Sequence, residues 1–379
     1  MLLRRLLVVL LIAPWWFIAS QCSPKKKSTA LAGDSLVKYA TGFSIHRGSR
    51  YTDVIVSQPF PGATSRYHYR LVPKGAPVPP AEEGITIIPV PVSRIVCTST
   101  THIPLLEYIG HGDALVGFPT TDYVSSPTMR QRIDAGQVTE LGIDKGMNIE
   151  QLYQLHPDVV MGYSLSADLG QLNKIQSLGI PVVLNAEYLE KHPLGRAEWI
   201  RFMALLFDEE DRADSVFTAI EKSYLEVREQ AAAATKKPTV LSGILYGNSW
   251  FLPGGKNYAA TLLTDAGCQY LWADDSTSGF LELSFEHVFS KGREADLWLG
   301  TGNFETLTDL AAADRRYALF TSYKAGEIYH FNAHKGARGG NEYLELGYLR
   351  PDIILKDLVS IAHPELLPGY QRYFFQRLR

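Results

Sequence analysis

Short apolar runs alternate with helix-forming segments along the chain from residue 94 onward. The predicted strands of this first half are residues 94–97, 114–117, 159–161 and 181–184. The predicted helices between them include residues 104–109, 149–155 and 169–178. Apolar runs this short are typical of strands that are buried on both faces. Strand–helix alternation predicts parallel strands, because each helix crosses back over the sheet.

The second half repeats this alternation. Its predicted strands are residues 239–245, 297–300 and 327–331, and its predicted helices are 259–266, 285–289, 307–313 and 351–361. The length is too great for one ordinary hydrophobic core. The sequence therefore predicts an α/β protein with two Rossmann-like lobes and mostly parallel sheets, lobe 1 over residues 93–194 and lobe 2 over 237–379.

A helical segment, residues 195–236, lies between the two predicted lobes. Residues 210–234 contain no Gly or Pro, and Val216, Ile220, Tyr224 and Val227 recur every three or four positions, as expected for an amphipathic helix. A helix of that length spans about 37 Å, comparable to a domain. We therefore expect a rigid strut between the lobes rather than a flexible linker.

Residues 36–92 have a different pattern. Three β-type runs, at 54–56, 68–72 and 85–90, are separated by turns rich in Pro and Gly. Such spacing is typical of short strands joined by tight turns. We expect a small N-terminal β-ribbon that packs on lobe 1.

The N-terminus has the layout of a secretory signal. Arg4 and Arg5 precede an apolar run, residues 6–18, which is shorter than the roughly 20 residues of a membrane-spanning helix. Cys22 resembles the acylated cysteine of a bacterial lipobox, although Gln21 stands where a small residue is usual. We expect a signal peptide at 1–21, a lipid anchor on Cys22 and a tether at 22–35, in the periplasm or cell envelope. Simple cleavage of the signal is the alternative.

The composition is consistent with the predicted two-lobed α/β fold and bears on the kind of partner. The formal net charge is −3, with no basic stripe and no base-reading module, so a nucleic-acid partner is not expected. The 20 Tyr and 6 Trp suffice to build an aromatic pocket. Cys97 and Cys268 lie in opposite halves; either a disulfide between them or two buried thiols fits the sequence.

One short sequence pattern, an N-cap residue followed two positions later by Glu, occurs in both halves of the chain. Asn148 precedes a predicted helix with Glu150 at its second position, and Ser284 and Glu286 repeat this arrangement. Asn and Ser are good N-cap residues, and the helix dipole stabilises a first-turn carboxylate by about 0.3–1 kcal/mol. Stabilisation by the helix dipole is a sufficient explanation for a single Glu at this position. Its recurrence in both lobes indicates two acidic contacts for a two-fold partner that carries basic residues.

These segments resemble the periplasmic binding proteins for iron-siderophores, haem and cobalamin. GMNIE at 146–150, with HPD at 156–158, is similar to that family's signature, and SFEHV at 284–288 is similar to its second-lobe motif. The resemblance covers about residues 90–362 and does not include the β-ribbon. It implies a monomeric, non-enzymatic protein that delivers a metal chelate to an ABC transporter. It also implies that Glu150 and Glu286 form salt bridges with arginines of the membrane subunits.

Loops after the predicted strands indicate where the chelate binds, because ligands of two-lobed α/β proteins lie outside the carboxyl ends of the strands. Aromatic side chains there suit a large planar ligand. Phe280 lies where the cobalamin-binding relatives place a pocket aromatic, and Arg338 is suited to grip a carboxylate or catecholate. The predicted cleft residues are His102, Tyr123, Tyr163, Trp250, Phe280, Phe304 and Arg338. For each, an ordinary structural role is the alternative.

Two other functions are alternatives to chelate binding. A Zn²⁺ or Mn²⁺ carrier needs three or four His and carboxylate ligands, of which His102 is one candidate. A hydrolytic enzyme is disfavoured because the sequence has no Gly-x-Ser-x-Gly elbow, Walker loop, dinucleotide fingerprint or His-Glu-x-x-His motif. No resident cofactor and no metal site are expected. His102, His330 and His334 are candidate ligands for the iron of a bound haem.

Overall fold

The computed structural model describes residues 37–143, 146–302 and 304–379. The predicted signal peptide, Cys22 and the tether lie outside the described residues. Within the described part of the chain, no helix is both long enough and apolar enough to cross a membrane.

The described chain begins with a four-stranded sheet. Its strands are β1 (Phe43–Arg47), β2 (Thr52–Val56), β3 (Tyr67–Pro73) and β4 (Ile85–Val90). They lie side by side in chain order; the first two pairs are antiparallel and β3–β4 is parallel. The buried Tyr69 accepts a hydrogen bond from the Leu184 main-chain N–H at 2.9 Å and packs on Phe202. This sheet is therefore joined to the main body through its core.

Two buried carboxylates hold the segment that leads into β1. Glu198 accepts hydrogen bonds from the main-chain N–H groups of residues 38–40, at 2.6 to 2.8 Å. Glu190 accepts from those of Thr41 and Gly42. Burying a carboxylate is costly unless hydrogen bonds satisfy it. The N–H groups of residues 38–42 provide these hydrogen bonds. They stabilise the two buried carboxylates, and the carboxylates in turn hold this segment in place.

Lobe 1 is a five-stranded, wholly parallel sheet with helices around it. Its strands lie in the order β7-β6-β5-β8-β9. The strands are β5 (Ile95–Cys97), β6 (Leu115–Phe118), β7 (Thr139–Glu140), β8 (Val159–Gly162) and β9 (Val182–Leu184). The helices are α1 (His102–Ile109), α2 (Pro127–Asp134), α3 (Ile149–Gln154) and α4 (Gln171–Ser177). The central strands are buried on both faces, which explains their continuous apolar runs.

Three helices connect the lobes: α5 (Pro193–Glu198), α6 (Ile200–Leu205) and α7 (Glu210–Ala232). The apolar positions of α7, including Phe217, Ile220, Tyr224 and Val227, are buried, and the positions between them face solvent. This stripe has the period expected for a helix that packs on one side.

Lobe 2 contains a second five-stranded sheet in the order β13-β10-β15-β16-β17, parallel except for its last pair. A separate antiparallel sheet has the order β11-β12-β14. The strands are β10 (Thr239–Ser242), β11 (Ile244–Tyr246), β12 (Ser249–Pro253), β13 (Gln269–Tyr270), β14 (Phe280–Leu283), β15 (Leu297–Leu299), β16 (Ile328–His330) and β17 (Gln376–Arg377). The helices are α8 (Tyr258–Asp265), α9 (Phe285–Gly292), α10 (Leu307–Ala313), α11 (Thr321–Ala325), α12 (Glu342–Glu345) and α13 (Pro351–Ala362).

Helix α7 braces the two lobes, since it packs against α1 of lobe 1 and against α8 and α13 of lobe 2. The predicted α/β class with two lobes and largely parallel sheets is confirmed. Cys97 and Cys268 are buried free thiols, so no disulfide joins them.

Candidate functional site

An open cleft of about 760 Å³ lies between the lobes. In each parallel sheet the strand order reverses at the first strand, β5 or β10, and α/β proteins bind ligands at the carboxyl ends of strands beside such a reversal. The loops after β5, β6 and β8 line the cleft from lobe 1, and the chain after β16 lines it from lobe 2. The lining residues are Thr98, Ser99, Thr100, Phe118, Pro119, Thr120, Tyr123, Tyr163, Phe331, Lys335, Gly339, Gly340, Asn341 and Leu344.

The lining is rich in hydroxyl groups and aromatic rings and poor in charge. Lys335 is the only charged side chain among the lining residues, and its ammonium lies 2.6 Å from a carboxylate oxygen of Glu305. The pair leaves the lining close to neutral. Such a surface binds a ligand through area, stacking and hydroxyl hydrogen bonds rather than through a charge clamp.

Two of the predicted cleft residues come together here. Tyr123 follows β6 and is largely exposed, and Tyr163 follows β8 and is half-buried. Both belong to lobe 1, on loops that the parallel sheet brings to one edge. The loops predicted after β5, β6, β8 and β16 all contribute to the lining, although the individual residues differ.

Two predicted cleft residues are core residues instead. His102, the first residue of α1, is fully buried, and burial lowers the pKa of its imidazole to about 3. It is not among the residues that line the cleft. Trp250 is fully buried on the inner face of β12, where its ring packs 5.4 Å from Trp298 and its indole N–H donates to the Ser242 carbonyl.

The other two candidate haem ligands, His330 and His334, belong to lobe 2 and are not among the residues that line the cleft. His330 is buried at the end of β16, and burial lowers its pKa. The His334 ring stacks on Tyr373 at 4.4 Å. Among the described residues, no group of three or more His, Cys, Asp or Glu side chains is arranged to hold a metal ion.

An aromatic face lies beside the carboxyl end of β10. Strand alternation places Tyr246, Phe251 and Phe280 on the outer face of the β11-β12-β14 sheet, opposite the buried Trp250. Their side chains are 81%, 37% and 67% exposed. We call these three residues the aromatic face. Of these three residues, only Phe280 was predicted from the sequence, because the segment Trp250-Phe251-Leu252 is apolar throughout and does not show which side chains point outward.

Phe304 and Arg338 lie near the cleft without lining it. Phe304 is partly buried against the core of lobe 2. Arg338 is exposed, and its guanidinium lies 3.4 Å from Asp122 of lobe 1. The predicted ligand-gripping arginine therefore forms an ion pair between the lobes, and its neighbour Gly339 lines the cleft.

Glu150 and Glu286 occupy matching positions in the two lobes. Each is the second residue of its helix, α3 or α9, after an N-cap whose side chain accepts a hydrogen bond from the N3 main-chain N–H. Both carboxylates are exposed. Glu286 is 79% exposed and has the Arg316 guanidinium 3.8 Å away. First-turn carboxylates of this kind are free to meet a cationic partner.

Two relatives share sequence with the chain. An uncharacterized lipoprotein of Methanocaldococcus jannaschii is 26% identical over 302 residues, which cover 77% of this chain and 70% of that protein. The vitamin B12-binding protein of Salmonella typhi is 25% identical over 169 residues, which cover 44% of this chain and 60% of that protein. The shared segment thus spans three fifths of the B12-binding protein.

Solved structures share the fold. A periplasmic heme binding protein from Pseudomonas aeruginosa matches with a TM-score of 0.59 and 17% identity, covering 76% of this chain and 98% of that chain. A periplasmic binding protein from Veillonella parvula matches with a TM-score of 0.60 and 16% identity, covering 82% and 98%. The family model described as periplasmic binding protein matches residues 95–334, more than half of the chain. The chain therefore belongs to the periplasmic binding protein family, whose members bind solutes for ABC importers and are not enzymes.

Proposed function

We propose that this protein is an extracytoplasmic solute-binding lipoprotein that captures a metal chelate and delivers it to an ABC importer. The chelate is an iron-siderophore, haem or cobalamin. Two relatives support this class: one is named a vitamin B12-binding protein and another a lipoprotein. A protein of the same fold is named a heme binding protein.

The interlobe cleft is the observation that carries this proposal. Its volume, about 760 Å³, falls in the range of ligand pockets, which runs from about 300 to 1,000 Å³. Aromatic rings and hydroxyl groups suit a planar chelate with polar edges. The aromatic face of lobe 2 adds stacking surface beside the reversal of strand order at β10, where this fold class binds its ligands.

Ligand titration tests the capture step. The protein is titrated with hemin, cyanocobalamin and a ferric catecholate, and absorption spectra and unfolding temperature are recorded. A ligand at a hundredfold its Kd should stabilise the protein by about 2.7 kcal/mol. Tyr123→Ala and Tyr163→Ala should weaken binding, whereas Tyr153→Ala, on the exposed side of α3, should not. If none of the three chelates shifts the unfolding temperature, the proposal is wrong.

Docking on the importer is proposed to use Glu150 and Glu286, one in each lobe. Both are exposed, and both stand in the first turn of a helix that follows the same design. The double variant Glu150→Lys with Glu286→Lys should abolish uptake and leave chelate affinity unchanged. Glu226→Lys, on the solvent side of α7, is the matched control. Lost affinity with intact uptake would overturn this assignment.

Membrane attachment is proposed to depend on an acyl chain on Cys22, followed by a tether over residues 22–35. Stable anchoring through lipid needs more than one chain or an added basic segment, and Lys25, Lys26 and Lys27 follow the cysteine. Cys22→Ser should move the protein from the membrane fraction to the soluble fraction of the cell envelope. A variant that stays in the membrane fraction would contradict the anchor.

A further inference from the structure

A segment of lobe 2 crosses the mouth of the cleft and lies on lobe 1. Residues 336–345 pass so close to residues 122–126 that side chains are excluded at two glycines. A Cβ atom at Gly340 would lie 2.2 Å from the Tyr123 carbonyl oxygen, and one at Gly336 would lie 2.8 Å from the Ser125 Cα. Contact this close requires the absence of a side chain.

Glu345 forms the centre of this contact. Its side chain is only 2% exposed, and its two carboxylate oxygens accept hydrogen bonds from the main-chain N–H groups of Ser125, at 2.6 Å, and Ser126, at 2.9 Å. Ser126 is the N-cap of α2, where main-chain N–H groups have no partner within the helix. A carboxylate from lobe 2 therefore satisfies the N-terminus of a helix in lobe 1.

The same residues form one wall of the cleft. Tyr123 on the lobe 1 side and Gly340, Asn341 and Leu344 on the lobe 2 side line it. Any rotation that widens the cleft at this wall must pull Glu345 away from Ser125 and Ser126. The width of the cleft and these two hydrogen bonds are thus mechanically linked.

Other polar contacts between the lobes are weaker or more distant. The Arg338–Asp122 pair, 3.4 Å apart, is more than half exposed on both sides, and exposed pairs contribute little. Arg350 donates to the Tyr108 hydroxyl at 3.0 Å, but it is also bound to Asp352.

We propose that Glu345, through its hydrogen bonds to Ser125 and Ser126, is a positioning residue that fixes the separation of the lobes and holds the cleft at its binding width. We call this contact the interlobe latch. Its role in ligand capture rests on the proposed function, but its role in holding the lobes together does not. The latch joins residues 220 positions apart in the chain, so it restrains the two lobes in addition to the linking helices and the two contacts above.

Hydrogen exchange measured by mass spectrometry on the full chain tests the latch without any ligand. Glu345→Ala removes the acceptor, and Gly340→Ala wedges the two segments apart while leaving the carboxylate in place. In both variants the amides of the peptide containing residues 122–126 should exchange about tenfold faster or more, since they lose their hydrogen bonds to Glu345. Strand β8 should keep its protection, and Glu226→Ala should match the wild type throughout.

Unchanged exchange at 122–126 in a folded Glu345→Ala protein overturns the proposal. Faster exchange across the whole chain also overturns it, because that result describes general destabilisation. If Glu345→Ala fails to fold, Gly340→Ala decides by the same two criteria. Glu345→Gln, which retains one accepting oxygen, should restore part of the protection.

Binding of hemin, cyanocobalamin and a ferric catecholate then tests the link to capture. Both latch variants should bind the preferred chelate at least about tenfold more weakly than the wild type, mainly through faster dissociation. Unchanged affinity together with faster exchange at 122–126 would overturn the positioning role. If the wild type binds none of the three chelates, the proposed function fails, while the exchange experiment still decides whether the latch holds the lobes.

Discussion

Glu345 should make the free energy of unfolding depend on pH in a way that Glu345→Gln removes. Burial, with a smaller contribution from the nearby Glu107 and Glu342 carboxylates, raises the pKa of its carboxyl group to about 7. The N–H groups of Ser125 and Ser126 act in the opposite direction without cancelling burial.

The sign and size of this pH dependence follow from the difference in proton binding between the folded and the unfolded protein. The ordinary pKa of the group is 4.5, so the folded protein binds more protons than the unfolded chain between pH 4.5 and about 7. The stability from this protonation is fully present below pH 4.5 and is lost as the pH rises through 7. At about 1.4 kcal/mol for each pKa unit, the loss is about 3 kcal/mol. The amide of Glu345→Gln has no proton to lose, so the variant should gain this amount relative to the wild type.

Urea unfolding at pH 4.5, 6 and 8 measures this difference. The gap in free energy of unfolding between Glu345→Gln and the wild type should shift by about 3 kcal/mol in favour of the variant over that range. Carboxyl groups that do not interact with Glu345 titrate in the same way in both proteins and cancel in the comparison. Glu226→Gln, with an exposed carboxylate, should follow the wild type. A gap that stays constant with pH would refute the reasoning.

Three further predictions concern buried groups elsewhere. Trp250→Ala should lower the free energy of unfolding by about 4 kcal/mol in urea titration, because it empties a fully buried site in lobe 2. Glu198→Ala leaves three main-chain N–H groups without their acceptor, so stability should fall by about 2 kcal/mol or more and trypsin should cut faster after Lys38. Burial raises the pKa of Cys268 to about 12 and that of Cys97 further, so peptide mapping should show neither thiol alkylated before unfolding.

The fold was predictable because its strands are buried on both faces. Buried parallel strands give short continuous apolar runs, so the runs at 94–97 and 159–161 correspond closely to β5 and β8. The N-caps Asn148 and Ser284 were also predictable, since both side chains accept hydrogen bonds from their own helices. These features depend on residues within a few positions of each other along the chain.

The residues of the site were less predictable, for two physical reasons. An apolar stretch such as Trp250-Phe251 does not show which side chain points inward; only pairing with β14 does. Glu345 stands in a short segment with Glu342 that reads as a solvated helix, and its burial comes from residues far away in the chain. No local pattern reports such a contact, so neither the latch nor the burial of His102 could be read from the sequence.

The neutral lining of the cleft makes its width a principal source of selectivity. Lys335 is already paired with Glu305, so charge contributes little to choosing among chelates. Stacking and hydroxyl contacts act only over a few ångströms, and a small gap forfeits much of that attraction. A cleft that binds by area must therefore be held at a defined separation of its walls. Buried hydrogen bonds of Glu345 at one wall, and a helix packed against both lobes, provide that separation.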